Sequence, residues 1–167
     1  VNHDLARAKA LRVRFVEGRN GATVASFNLF LTPGDVWTGA ALPGATDADP
    51  PLLVSNDQSC AGGSVDLTRS PRLQLAFTSS NYRGDTALPA YQSIDRTREG
   101  FIEVIEIGSV SRGTRLFDQI IRRGNYKELP PLCNTVRDAD MVLYGEEPLQ
   151  PPTGGVAGGG TLMNLAG

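Results

Sequence analysis

From Leu11 to Phe15 apolar and basic residues alternate, with Leu11, Val13 and Phe15 on one face of an extended chain and Arg12 and Arg14 on the other. A second run of the same period follows the turn-forming Glu17 to Gly21: Ala25, Phe27, Leu29 and Leu31 face one way, and Val24, Ser26, Asn28 and Phe30 the other. Together they predict a β-hairpin, and the partly apolar second face of the return strand predicts a central place in its sheet. Thr32 to Asp35 (TPGD) predicts a type II turn. Further strands are predicted over Asp35 to Leu42, Leu52 to Ser55, Arg72 to Thr78 and the β-branched run Gly100 to Val110. Pro43 to Pro51 and Ser79 to Thr97 read as connections, and Cys60 to Ser64 as a glycine-rich turn.

The period changes over Gly113 to Arg123, where Leu116, Phe117, Ile120 and Ile121 form the stripe of a short amphipathic helix. Asn134 to Leu143 predicts a further helical turn or two, Gly145 to Gly160 a loop, and Thr161 to Ala166 a closing strand. Strands at this spacing, joined by glycine and proline turns, predict a mainly β protein: an Ig-like β-sandwich with a short helical insertion at about 114–143. The expected organisation is a domain over 1–150, followed by a glycine-rich joint and terminal strand over 151–167.

Composition narrows the class. With 167 residues, 40% of them apolar, the chain suffices for one buried core. A net charge of -2 provides no field to gather nucleic acid or anionic lipid. Lys9 and Lys127 are the sole lysines beside many arginines, a bias that fits a GC-rich genome. Runs of about eighteen apolar residues are absent, so no membrane insertion is expected. Val1 is not a genetic start, which predicts either a processed chain or a fragment of a longer one. Cys60 and Cys133 are too far apart for a CxxC zinc pair, leaving two buried thiols or one long-range disulfide. Their turn-rich settings (NDQSCAGG, PPLCNT) favour the disulfide, which would close a loop of about 74 residues, contribute roughly 4 kcal/mol and point outside the cytoplasm.

Three blocks, VRFVEGRNGATVASFNLFLTPGDVWTGAAL, DRTREGFIEVIEIG and GGGTLMNLAG, resemble an uncharacterised group of secreted or surface-associated bacterial β-rich proteins. The resemblance implies an extracytoplasmic β-rich fold and a disulfide, and carries no activity or catalytic residue. It also implies a strand before the hairpin, of which Val1 and Asn2 look like the last residues. An unfilled slot beside the hairpin is therefore expected, to be occupied by another segment.

Candidate chemistry is sparse. His3 is the lone histidine and lies in a terminus expected to fray. Glu103 and Glu106, three apart on one strand, leave opposite faces and cannot line one cleft; Glu103 is expected to pair with an arginine of a neighbouring strand and Glu106 to face solvent or an interface. Glu146 and Glu147 read as solvated. Asp47 with Asp49, and Asp138 with Asp140, have the alternate spacing of a calcium loop without its glycine and distal glutamate, so turn chemistry is expected. Arg83–Gly84–Asp85 is a chance-level adhesion tripeptide. Thr153 to Gly160 lacks the Lys-Ser/Thr of a phosphate loop and reads as a flexible joint. Phe27, Phe30, Trp37 and Phe101 are expected in the core, leaving Tyr82, Tyr91, Tyr126 and Tyr144 as the loop aromatics a carbohydrate binder would use.

The expectation is a non-enzymatic extracellular or cell-surface assembly subunit of a bacterial filament or surface structure, without cofactor, metal or catalytic residues. Its partner would be itself, through strand addition by Thr161, Leu162, Met163, Asn164 and Leu165. A monomeric carbohydrate- or protein-binding module is the alternative.

Overall fold

A computed structural model describes residues 1–62, 73–79, 93–121 and 149–161. The predicted hairpin forms from β1 (Arg7–Glu17) and β2 (Thr23–Leu31), with Leu11 opposite Leu29, Val13 opposite Phe27 and Phe15 opposite Ala25. Short strands β3 (Ala40–Leu42), β4 (Leu52–Ser55), β5 (Cys60–Gly62) and β6 (Leu73–Ala76) follow, then the long β7 (Gly100–Ser111) and a helix α1 (Arg115–Ile120). The described strands make two antiparallel sheets, β5-β2-β1-β7 and β3-β4-β6. The fold is mainly β, with the return strand of the hairpin interior to its sheet, as its two-faced apolarity predicted.

Two clusters of buried side chains lie on the two faces of the larger sheet. The alternation Leu11, Val13, Phe15 sends these residues to one face, where they meet Phe27, Leu29 and Leu31 together with Leu53, Leu73 and Phe77. The Phe15 and Phe77 rings stand 5.0 Å apart in a tilted arrangement. On the opposite face Ala8, Ala10, Phe30, Cys60 and Val110 receive Phe117 and Ile120 of α1, with Leu116 and Ile121 packed at the margin. The whole predicted helical stripe is thus used. Thr114 caps α1, its Oγ1 accepting the Phe117 N–H at 3.1 Å.

Several local expectations change. Asp35 to Gly39 is not a strand, because the Asp35 carboxylate takes the Thr32 and Val36 amides and ties the chain locally. Trp37 turns onto Phe27, with ring centroids 5.4 Å apart. Cys60–Gly62, predicted as turn, pairs with Asn28–Phe30 as β5, since a β2 edge left bare would strand its backbone groups. The N-terminus does not fray: Asn2 is buried and its Nδ2 donates to the carbonyls of Arg7, Leu31 and Thr32 at 2.9, 3.3 and 3.0 Å, closing the open end of the hairpin. The predicted helical turn at Asn134 to Leu143 lies outside the described residues.

The other end of the hairpin is closed by Glu17. Its carboxylate accepts the amides of Arg19, Asn20 and Ala22 at 2.9, 2.8 and 3.1 Å, and Arg96 of the 310 turn Ile94–Arg98 pairs with it at 3.1 Å. Burial opposes ionisation, yet the Arg96 guanidinium and the three amides outweigh it and hold the Glu17 carboxyl at about 2. Beside this knot Gly100 lets β7 approach β1 closely: a Cβ there would sit 2.0 Å from the Val16 carbonyl oxygen. Gly100→Ala is therefore expected to lower stability by about 1–3 kcal/mol, read as a lower urea midpoint.

Candidate functional site

β7 pairs with β1 along its whole length, from Arg7 opposite Ser111 to Glu17 opposite Gly100. This corrects the expected vacancy: the slot beside the hairpin is filled by the chain's own strand, and among the described strands the edge of the sheet lies one strand further out, at β7.

On that outer side Gln150 bridges Ser109, each N–H donating to the other's carbonyl at 2.9 Å. Pro151 and Pro152 come next and have no N–H to continue a ladder toward Ile107. The chain instead leaves the edge, and Thr153 and Gly154 donate their amides to the Glu106 carboxylate at 2.9 and 2.8 Å. Among the described residues no strand pairs with the outer side of Gly100 to Ile107.

That open stretch is apolar on both faces. Ile102 and Val104, opposite Phe15 and Val13, share the face of the larger core, while Phe101 and Ile105, opposite Val16 and Arg12, share the other. Their exposures are 51% for Phe101, 60% for Ile102, 51% for Val104 and 45% for Ile105. Phe101 is thus not the core residue expected. Backbone donors and acceptors flanked by exposed apolar side chains form a template for another strand.

The acids of β7 are separately engaged. Glu103 lies opposite Arg14 and bonds its Nη1 at 2.8 Å, the cross-strand pair expected. Glu106 leaves the other face, as expected, but is not simply solvated: Lys9 lies 3.3 Å from it and 3.1 Å from Asp4, and its Nζ also bonds Thr153 Oγ1. Lys9 is wholly buried, between two carboxylates that reach the surface. The Ala6 amide, followed by Lys9, lowers the Asp4 carboxyl below its ordinary range. Sequence reading missed this cluster, although a lysine between Ala8 and Ala10 in an apolar run was its signal.

Other candidates sit apart. Asp49 accepts from the Thr46 amide and hydroxyl at 3.0 and 2.7 Å, which is turn chemistry, whereas the exposed Asp47 carboxylate lies 3.6 Å from Arg98 of a distant stretch of chain. The His3 amide donates to Gly155, and the Val1 ammonium to Ala157, so the start of the glycine tract lies along the N-terminal segment. Phe27 and Phe30 are core residues, and Trp37 packs against the larger cluster. Cys60 is buried on β5 and no described cysteine is free. Thr161 is exposed. Cys133, the tyrosines 82, 91, 126 and 144, the 83–85 tripeptide, Asp138, Asp140, Glu146, Glu147, Leu162, Met163, Asn164 and Leu165 lie outside the described residues. Among the described residues no group of three His, Cys, Asp or Glu is placed to hold a metal ion, and no helix is long and apolar enough to cross a membrane.

No protein-family model, curated protein or solved structure matches the chain.

Proposed function

We propose that the chain is a non-enzymatic, extracytoplasmic assembly subunit that accepts a strand from a neighbouring copy along the outer edge of β7. The observation that carries this reading is the eight-position stretch Gly100 to Ile107, whose side away from β1 has no strand partner among the described residues and which exposes Phe101, Ile102, Val104 and Ile105. A strand laid there gains a backbone ladder, and its alternate side chains cover apolar surface on both faces. Repeated between unlike surfaces, such addition builds an open filament.

Two antiparallel sheets contributing to one buried cluster support the Ig-like sandwich in this reading. A Cys60–Cys133 disulfide belongs to it as well, because Cys60 is not free and Cys133 is the other cysteine of the sequence. Such a bond fits a cell-surface or extracellular location.

The test is the double variant Ile102→Lys/Val104→Lys, which places charges on the edge at two exposed positions. Sedimentation of the wild type should show mass rising with concentration, while the variant stays monomeric with an unchanged circular dichroism spectrum. A wild type that remains monomeric, or a variant that associates equally, would remove the proposal.

A further inference from the structure

Resting on that reading, we infer that the strand occupying the β7 edge is Thr161 to Gly167 of a second copy. The edge is acidic: Glu99, Glu103 and Glu106 fall within it or at its start, and no lysine or arginine lies between Glu99 and Ser111. This bears on which strand fits. Pairing β7 with a second β7 in antiparallel fashion, centred on Glu103 or on Val104, sets the two Glu103 carboxylates opposite or diagonal to each other, where like charges destabilise.

Thr161 to Gly167 (TLMNLAG) brings seven uncharged residues to the eight positions from Gly100 to Ile107. As a strand it would carry Leu162 on one face and Met163 and Leu165 on the other, apolar on both sides like the edge itself. The described part of the tract leads to it through Gly158, Gly159 and Gly160, where an added Cβ would meet nothing within 4 Å. Ala157 is the last residue of the tract bonded to the N-terminal segment, through Val1. Beyond it the described backbone is uncrowded at Gly158, Gly159 and Gly160.

Two full-length variants test this against the edge variant. Met163→Asp/Leu165→Asp sets two acids on one face of the strand, against an edge that carries one of Glu103 and Glu106 on each face, and should weaken association at least tenfold; Met163→Lys/Leu165→Lys should weaken it less, because the carboxylate on that face attracts its charges. Mixing isotope-labelled Val104→Cys chains with unlabelled Met163→Cys or Asn164→Cys chains under mild oxidation should give a disulfide between labelled and unlabelled peptides. If the aspartate variant associates like the wild type while Ile102→Lys/Val104→Lys does not, the edge stands and the tail is overturned as its occupant. If neither variant changes association, both readings fall. With both cysteines in one chain, mixed with labelled chains lacking them, a linkage confined to single chains would overturn the second copy as the source.

Discussion

Glu17→Gln is expected to lower the unfolding free energy at pH 7 by about 3 kcal/mol, one of the two largest single-residue effects in the described part of the molecule. The carboxylate is 1% exposed and accepts from three turn amides as well as the Arg96 side chain. Glutamine retains one acceptor but turns an NH2 toward donors and removes the counter-charge of a buried guanidinium. The effect is also tied to pH. The Glu17 carboxyl is held at about 2 against an ordinary 4.5. Its folded value is depressed, so the stabilisation is fully present above about 4.5 and is lost as pH falls through about 2. That gap corresponds to about 3 kcal/mol. Urea titrations of wild type and variant at pH 7, 4 and 2 should show midpoints far apart at neutral pH and converging in acid. A difference under about 1 kcal/mol at pH 7, or one that does not shrink with acid, would show that the turn is held by something else.

What could be read in the sequence was the part governed by local period and turn chemistry. Leu11, Val13 and Phe15 alternate because they line one face, and Gly34 takes φ 74° in the turn that TPGD announced. Leu116, Phe117, Ile120 and Ile121 mark the α1 stripe correctly because a four-residue recurrence fits little else. The misplacements have a different cause. Cys60–Gly62 has no strand propensity, and it is extended because β2 offers an edge thirty residues upstream. Gly100 to Ile107 is dense in β-branched and aromatic residues and looks like a buried strand, but density cannot tell a strand covered on two sides from one left at the border. Pro151 and Pro152 held that information, and it became legible with Gln150 in place beside Ser109. Lys9 escaped for a similar reason: its partners Asp4, Glu106 and Thr153 come from three separate stretches of chain.

Lys9→Met is expected to lower stability by about 2–3 kcal/mol, and its consequence should be concentrated at one corner of the fold. Methionine fills the buried channel but leaves Asp4 and Glu106 facing each other without the ammonium between them. Glu106 would then tend to swing to water, releasing the Thr153 and Gly154 amides, with Gly154 and Gly155 in a positive-φ bend that these bonds help to hold. Hydrogen exchange should quicken first at Thr153 and Gly154, then at Ala157 and His3, while β1 and β2 amides change only through the global loss. Glu106→Gln added to Lys9→Met should restore part of the stability, since one uncompensated carboxylate is gone, and the pair should be markedly non-additive in a double-mutant cycle. Equal, additive losses with uniform exchange would mean that the cluster acts as packing rather than as the electrostatic tie between the N-terminal segment, β7 and the glycine tract. The same tie holds the start of the glycine tract that precedes Thr161, so Lys9→Met should also weaken association if the tail is the donated strand, whereas Glu17→Gln, at the far end of the hairpin, should weaken it only as far as the fold itself is lost.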